Sequence, residues 1–158
     1  MDEKEARRLV ARLNLRPHPE GGFFGETFRS SIEIGKPWSR PAMTSIYYLL
    51  SDRDFSGFHR LKSDEIWHHY RGAAVTIEII ERNGSHRRIV IGERACWQAA
   101  VAAGSWFAAH ARGPGGYALV GCDVAPGFTY EDFELATRDA LKRAFPQHRR
   151  LIERWTRE

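Results

Sequence analysis

The chain has 158 residues, of which 42% are hydrophobic and 28% are charged, the size and composition of one globular domain with its own core. No run approaches the roughly eighteen apolar residues that a membrane-spanning helix needs, and the charged start Met1-Asp-Glu-Lys-Glu is unlike a signal peptide. The net charge of +4 lies entirely in residues 138–158, with seven Lys/Arg against three Asp/Glu, and without a recognition motif it favours a solvated helix face over nucleic-acid binding.

The chain is predicted to begin with a helix. Its apolar residues recur at helical spacing, at Ala6, Leu9, Val10 and Leu13. Acidic residues precede basic ones in this segment, as the helix dipole favours. The following His18-Pro-Glu-Gly-Gly22 is predicted to be a turn, because proline fixes φ and paired glycines permit a sharp reversal. Phe23–Ser30 is then predicted to be a strand with Phe24 and Phe28 on one face, by default a core face.

Short β-branched and aromatic runs at even spacing predict an antiparallel sandwich or barrel over the middle of the chain. Asn83-Gly84 is the strongest hairpin signal. After the strands, Phe133–Phe145 has a helical pattern that Pro146 ends, and His148–Thr156 can add a last turn or two. The remaining predicted strands are Thr44–Leu50, Phe55–Leu61, Glu65–Arg71, Ala73–Ile80, Arg87–Ile91, Cys96–Val101, Ser105–Ala109 and Tyr117–Val124.

Ionisable and aromatic side chains are densest between Gly57 and Gly72, a stretch that reads GFHRLKSDEIWHHYRG. Neutral histidine is the commonest metal ligand, and a glutamate supplies a hard oxygen ligand or a general base. Strand alternation places Glu65, Trp67 and His69 on one face and His68 on the other, unless a bulge intervenes.

This stretch resembles the first signature of the cupin superfamily, G-x5-H-x-H-x(3,4)-E-x6-G. His59 and Glu65 match the first histidine and the glutamate, whereas Leu61 stands at the second histidine. The second cupin signature is matched at Gly104, but Phe107 replaces its histidine. The chain is most similar to small single-domain cupins filed as a domain of unknown function, through these phrases: His18–Phe23, Thr44–Leu50, His59–His68, Ala103–Trp106, Gly116–Phe128 and Asp132–Ala136.

The resemblance implies an all-β fold, the cupin double-stranded β-helix or jelly-roll barrel, with short terminal helices. We expect one domain over residues 1–158, with an N-terminal helix at 1–14, the jelly roll at 22–128 and a C-terminal helical segment at 132–158. The barrel interior is then the expected site. His59 and Glu65 are its expected catalytic pair, with Glu65 orienting His59, and the expected ligand-binding residues are Ser63, Trp67, His69, Phe107, Tyr47 and Phe24.

Three activities stay open at this point. The first is metal-independent isomerase or epimerase chemistry on a small polar, sugar-like ligand, since the sugar-nucleotide epimerases of the superfamily use a histidine base without metal. The second is a metal-dependent cupin enzyme with His59 and Glu65 as metal ligands, although Leu61 and Phe107 replace two of the four usual ones. The third is a non-catalytic small-molecule-binding module. We expect the protein to use no cofactor. We also expect that the loss of His59 or Glu65 harms function more than stability.

The remaining histidines lie in loops, at strand ends or in the basic tail, and they are interpreted as solvated: His18, His86, His110 and His148. Cys96 and Cys122 lack a C-x-x-C arrangement and indicate reduced thiols in a cytoplasmic protein. We expect a homodimer, formed through the aromatic-rich arm around Phe28, because open sheet edges need covering. Neither nucleic acid nor membrane is an expected partner.

Overall fold

The computed structural model describes residues 3–35, 39–113 and 116–157. The helices are α1 (Glu3–Arg12), α2 (Arg138–Ala144) and α3 (Arg149–Trp155). The strands in chain order are β1 (Arg16–Pro17), β2 (Phe23–Arg29), β3 (Glu33–Ile34), β4 (Arg40–Pro41), β5 (Thr44–Ser51), β6 (Phe55–Leu61), β7 (Asp64–Gly72), β8 (Val75–Ile80), β9 (His86–Ile91), β10 (Gln98–Val101), β11 (Trp106–Ala111), β12 (Tyr117–Ala125) and β13 (Phe133–Leu135). The expected all-β fold, with helix confined to the two ends, is confirmed.

Two antiparallel sheets form the body of the molecule. One has six strands in the order β1-β2-β5-β12-β7-β10, and the other has five in the order β13-β6-β11-β8-β9. The core between them receives alternate residues from both sheets, such as Tyr48 of β5, Trp67 of β7 and Ile77 of β8. Their side chains are almost completely buried, and this burial of apolar surface is the main force that holds the sheets together.

The helices cover the outer faces of the two sheets. Leu9 of α1 packs with Leu49 and Leu119 on the six-stranded sheet. Ile152 of α3 packs with Phe58 and other residues of the five-stranded sheet. Among the described residues, no helix has the length and apolar character required to cross a membrane.

The predicted helix over Phe133–Phe145 is wrong in its first part. Phe133–Leu135 forms β13, which pairs with β6 so that Phe133 lies opposite Leu61 and Leu135 opposite His59. Helix α2 begins only at Arg138. The physical reason is the edge of the five-stranded sheet, because β13 satisfies backbone groups of β6 that an early helix would leave unpaired.

The predicted faces of β7 are confirmed. Glu65, Trp67 and His69 are all buried, whereas His68 is part-exposed and its Nε2 lies 2.8 Å from Oδ2 of Asp123. The pairing of β7 with β12 shifts register between Leu119 and Val120, which pair with Arg71 and His69. The shift therefore follows Glu65, Trp67 and His69 and does not change their faces. The strand therefore keeps Glu65 pointing between the sheets.

Candidate functional site

A small cavity lies between the two sheets, with a volume of about 50 Å³. This is room for roughly three to five water-sized groups. Most of the lining is apolar or aromatic, and two histidines and two glutamates with buried side chains interrupt it. The lining residues are His18, Glu20, Phe24, Glu26, Thr44, Ile46, His59, Leu61, Glu65, Cys122, Val124, Phe128 and Phe133.

The loop between β1 and β2 places Glu20 inside the cavity. Its backbone carbonyl accepts hydrogen bonds from the Gly57 N–H at 2.8 Å and from Nε of Arg157 at 2.6 Å. Gly21 follows with a φ of 113°, a conformation that suits glycine. A Cβ at Gly21 would overlap the Phe55 carbonyl and the Arg157 guanidinium. Hydrogen bonds to the Glu20 carbonyl and the tight turn at Gly21 therefore fix the loop, and the Glu20 side chain is directed inward.

His59 enters the cavity from β6 and has a partner at each ring nitrogen. Nδ1 lies 2.8 Å from the carbonyl oxygen of Gly57, and because a carbonyl only accepts, Nδ1 carries the proton that is donated. Nε2 lies 3.1 Å from Oε2 of Glu20. Burial lowers the pKa of His59 to about 4, so the ring is neutral at neutral pH and its Nε2 accepts.

Glu20 must then supply the proton on its contact with His59. Burial raises the pKa of Glu20, against the opposing effect of His18, which favours the protonated carboxyl. Its other oxygen, Oε1, accepts a hydrogen bond from the Ser56 hydroxyl at 3.0 Å. Glu20 and His59 thus form a buried pair that shares one proton and has no net charge.

Glu65 reaches the cavity from β7, on the sheet that faces His59. The residue is 7% exposed, and its Oε2 is buried without a hydrogen-bond partner among the described residues. Burial raises the pKa of Glu65 to about 8, against the opposing effects of Trp67 and Cys122 beside the carboxyl. A carboxyl group that is protonated at neutral pH therefore faces the Glu20–His59 pair from the opposite sheet.

His18 completes the ionisable set, and aromatic rings surround it. Its ring centroid lies 4.7 Å from that of Phe24 and 5.7 Å from that of Phe133. The Glu20 backbone N–H donates to its Nδ1 at 3.3 Å. Burial lowers the pKa of His18, partly offset by Glu20. The interpretation of His18 as solvated is wrong, because its side chain is only 7% exposed.

Three of the residues expected at the site line this cavity: His59, Glu65 and Phe24. The expected contact between His59 and Glu65 is not formed, since the residue beside His59 Nε2 is Glu20. The reason is that His59 and Glu65 belong to opposite sheets, whereas the loop that carries Glu20 is bonded to the same strand as His59.

The other five expected ligand-binding residues do not line this cavity. Trp67 and Phe107 are core residues, and the Phe107 ring supports His59 with centroids 4.0 Å apart. His69 Nε2 lies 3.0 Å from the Ala73 carbonyl, so this nitrogen donates. Ser63 lines a surface pocket beside Arg40 and Asp132, outside the barrel. Tyr47 packs among the residues under α1, on the outer face of its sheet.

Of the three other histidines interpreted as solvated, His110 and His148 are part-buried and His86 is exposed, and all three have partners. Nε2 of His86 lies 2.7 Å from Oε2 of Glu78, the ring of His110 stacks on Trp155 with centroids 4.0 Å apart, and Nε2 of His148 lies 2.7 Å from the Gly84 carbonyl. The contacts of His110 and His148 join residues far apart in the chain, which strand-end position alone does not reveal.

The residues present do not fit the metal site of the signature. Leu61, at the position of the second histidine, lines the cavity with an apolar side chain, and Phe107 is a core residue. The remaining His59 has Nε2 beside Glu20 and Nδ1 on a carbonyl. In the described parts of the chain, no group of three or more His, Cys, Asp or Glu side chains is placed to hold a metal ion.

Comparison with known proteins gives one family and two close structural relatives. The family model described as "Cupin superfamily (DUF985)" matches residues 7–136. A hypothetical protein from Leishmania major is 33% identical, with a TM-score of 0.92 over 97% of this chain and 99% of its own. A protein from Shewanella oneidensis is 34% identical, with a TM-score of 0.88 over 99% and 98% of the two chains. No curated protein matches the sequence.

More distant structures share the fold alone. Oxalate decarboxylase from Bacillus subtilis is 12% identical with a TM-score of 0.58, and the match covers 88% of this chain and 36% of that one. Vicilin from tomato is 14% identical with a TM-score of 0.58, over 94% of this chain and 45% of that one. Such similarity describes the sandwich and not the chemistry of its cavity.

Proposed function

The chain belongs to the cupin superfamily, in the family DUF985, and from this premise we propose that it binds a small polar carbonyl compound in the barrel and isomerises it by metal-independent proton transfer. The observation that carries the proposal is the unpartnered Oε2 of Glu65. A buried carboxyl oxygen without a partner is costly unless a ligand completes its hydrogen bonding.

Acid and base approach the cavity from opposite sides. Glu65 projects from the six-stranded sheet, and His59 projects from the five-stranded sheet with Glu20 beside it. The environment keeps Glu65 protonated and His59 neutral at neutral pH. Groups whose pKa values are displaced in this way within one cavity are typical of acid–base catalysis.

The proposed step is removal of a proton from the carbon next to a carbonyl group. Glu20 takes this proton while its own carboxyl proton passes to Nε2 of His59, and Glu65 gives its proton to the carbonyl oxygen. The substrate becomes a neutral enol, His59 becomes a cation and Glu65 becomes an anion, so atoms and charge balance. Return of a proton to a different carbon, or to the other face of the same carbon, gives the isomer.

The cavity limits what can enter it. Its volume of about 50 Å³ admits the reacting end of a small molecule and not a complete sugar nucleotide. Phe24, Phe128 and Phe133 form an apolar wall beside the ionisable groups. A short compound with one apolar face and a carbonyl oxygen directed at Glu65 suits this lining.

Deuterium incorporation tests the proposal directly. Native mass spectrometry of the purified protein identifies co-purified compounds, and these, with a panel of small 2-hydroxy aldehydes and ketones, are incubated with the protein in D₂O. We expect the proton NMR signal next to the carbonyl group to decay for at least one compound that binds, and Glu65→Gln to abolish this decay. Binding without exchange above the protein-free rate would contradict isomerisation and identify a binding module instead.

The substitution Glu20→Gln distinguishes the catalytic role of Glu20 from its structural role. A glutamine amide can donate to His59 Nε2 and accept from Ser56, so we expect the free energy of unfolding at neutral pH to change by about 1 kcal/mol or less. The amide cannot relay a proton, so exchange should fall by about 10²-fold or more.

The control for Glu20→Gln is Glu33→Gln, an exposed residue of β3, which should change neither quantity. A loss of several kcal/mol in Glu20→Gln would show a buried ion pair, with Glu20 ionised and His59 protonated. That result would contradict the shared-proton pair.

The homodimer stays a prediction. Strand β2 pairs with β1 and β5 of its own chain, so its backbone is already partnered. Exposed apolar side chains nevertheless remain on the molecule, among them Phe28, Ile66, Tyr70 and Trp97. Sedimentation velocity at micromolar concentration should show a species of about twice the 18.1 kDa chain mass, and a monomer would contradict the expectation.

A further inference from the structure

A second concave site lies on the opposite side of the five-stranded sheet from the cavity. It is a groove between this sheet and α3, with a volume of about 380 Å³. Its floor includes Thr76 of β8, whose neighbours Val75 and Ile77 belong to the core between the sheets. Strand alternation therefore directs Thr76 outward. Arg154 and Trp155 of α3 form a wall.

The groove carries an excess of positive charge that the protein does not neutralise. Arg112, Arg150 and Arg154 line it, and among the described residues none of the three forms an ion pair. The one carboxylate of the lining, Glu78, is already used: Oε1 accepts from Nε of Arg88 at 2.8 Å, and Oε2 lies 2.7 Å from Nε2 of His86. Three guanidinium groups therefore remain available to an anion.

The floor provides a second and independent indication of a ligand. Thr76 is 2% exposed, and its Oγ1 is buried without a hydrogen-bond partner among the described residues. Buried hydroxyl groups are satisfied in most proteins. A hydroxyl left open at the base of a groove lined by arginines is suited to donate to an anionic oxygen.

We propose that this groove binds the phosphoryl group of a small phosphorylated molecule. Guanidinium groups bind phosphate oxygens with paired N–H donors, and the Thr76 hydroxyl donates to another oxygen of the same group. The ligand is small because Thr76 lies at the floor between sheet and helix, where the backbone of a duplex does not reach. Trp155, with His110 stacked on it at 4.0 Å, closes the groove on the side of α3.

Isothermal titration of the full chain with pyrophosphate, and separately with inorganic phosphate, tests the proposal. We expect saturable binding at one site per chain. Arg154→Gln and Thr76→Val should each weaken pyrophosphate binding by about tenfold, the effect of losing about 1.4 kcal/mol from a charged hydrogen bond. Valine keeps the shape of threonine and removes an unpartnered hydroxyl, so the Tm of Thr76→Val should be unchanged or higher.

The matched control is Arg149→Gln, an exposed arginine of the same helix that is absent from the groove lining and should leave binding unchanged. The proposal is overturned if pyrophosphate does not bind saturably, or if Arg149→Gln weakens binding as much as Arg154→Gln. It is also overturned if single-stranded oligonucleotides bind with an affinity that rises with length while pyrophosphate does not bind.

Discussion

Glu65→Gln should change the pH dependence of stability more than any other single substitution in the cavity. We expect the free energy of unfolding of Glu65→Gln, minus that of the parent, to rise by about 3.5 kcal/mol between about pH 5 and pH 8. Urea unfolding at a series of pH values measures this difference.

The sign follows from the displaced pKa of Glu65. Its pKa is about 8 in the folded protein against a usual value of 4.5. Between these values the folded state holds a proton that the unfolded state has released, so the parent loses about 1.4 kcal/mol of stability per pH unit as the pH rises. This loss begins near pH 4.5 and is complete above pH 8. Glutamine cannot ionise, so the variant lacks the loss.

In the difference between variant and parent, the contributions of the other titrating groups to the pH dependence of the free energy of unfolding cancel. His59, with its pKa lowered to about 4 by burial, destabilises both proteins equally as the pH falls below its usual range. Glu33→Gln is the matched control, because Glu33 is exposed, and its difference curve should be flat. A flat curve for Glu65→Gln would show that Glu65 is ionised in the folded protein at neutral pH.

His59→Ala should destabilise the protein by roughly 3–5 kcal/mol at neutral pH. His59 is 2% exposed, its ring packs on Phe107, and its removal leaves the Glu20 carboxyl without the partner at 3.1 Å. The cost combines a cavity with an unsatisfied buried group. Thermal and urea unfolding measure it.

This result would correct the expectation that loss of His59 harms function more than stability. The comparison variant is His59→Asn, whose amide can still donate to the Gly57 carbonyl and should recover about 1 kcal/mol. Unfolding of His59→Ala at the parental midpoint would contradict the buried pair, and would indicate instead that water replaces the ring.

The positions of most strands along the chain follow closely from local patterns, whereas the partners of the site residues do not. The cupin resemblance implied that Glu65 of β7 points inward, and strand alternation then placed His68 outward, although polar and apolar residues occur on both faces. The run Thr44–Ser51 is apolar on both faces, since α1 covers the outer one. Its pattern therefore could not show that Tyr47 points outward and Tyr48 inward.

Glu20 and His18 illustrate why a loop hides its function from the sequence. Their phrase H-P-E-G-G contributes to the family resemblance, but its local pattern indicates only a turn. Its inward position depends on the carbonyl of Glu20 bonding to Gly57 and to Arg157, which lies 137 residues further along the chain. Contacts of that sequence separation are decided by the complete fold. The only indication of a functional role in the sequence was the presence of a histidine and a glutamate within the H-P-E-G-G phrase.

The protonation of Glu65 at neutral pH is the central claim, and carbon NMR measures it most directly. The protein is labelled with ¹³C at glutamate side-chain carboxyl groups, and comparison with Glu65→Gln identifies the Glu65 signal. Titration of this signal should have its midpoint near pH 8, the displaced pKa of Glu65. A midpoint near 4.5, the usual value for glutamate, would contradict the claim and with it the acid that the proposed proton transfer requires.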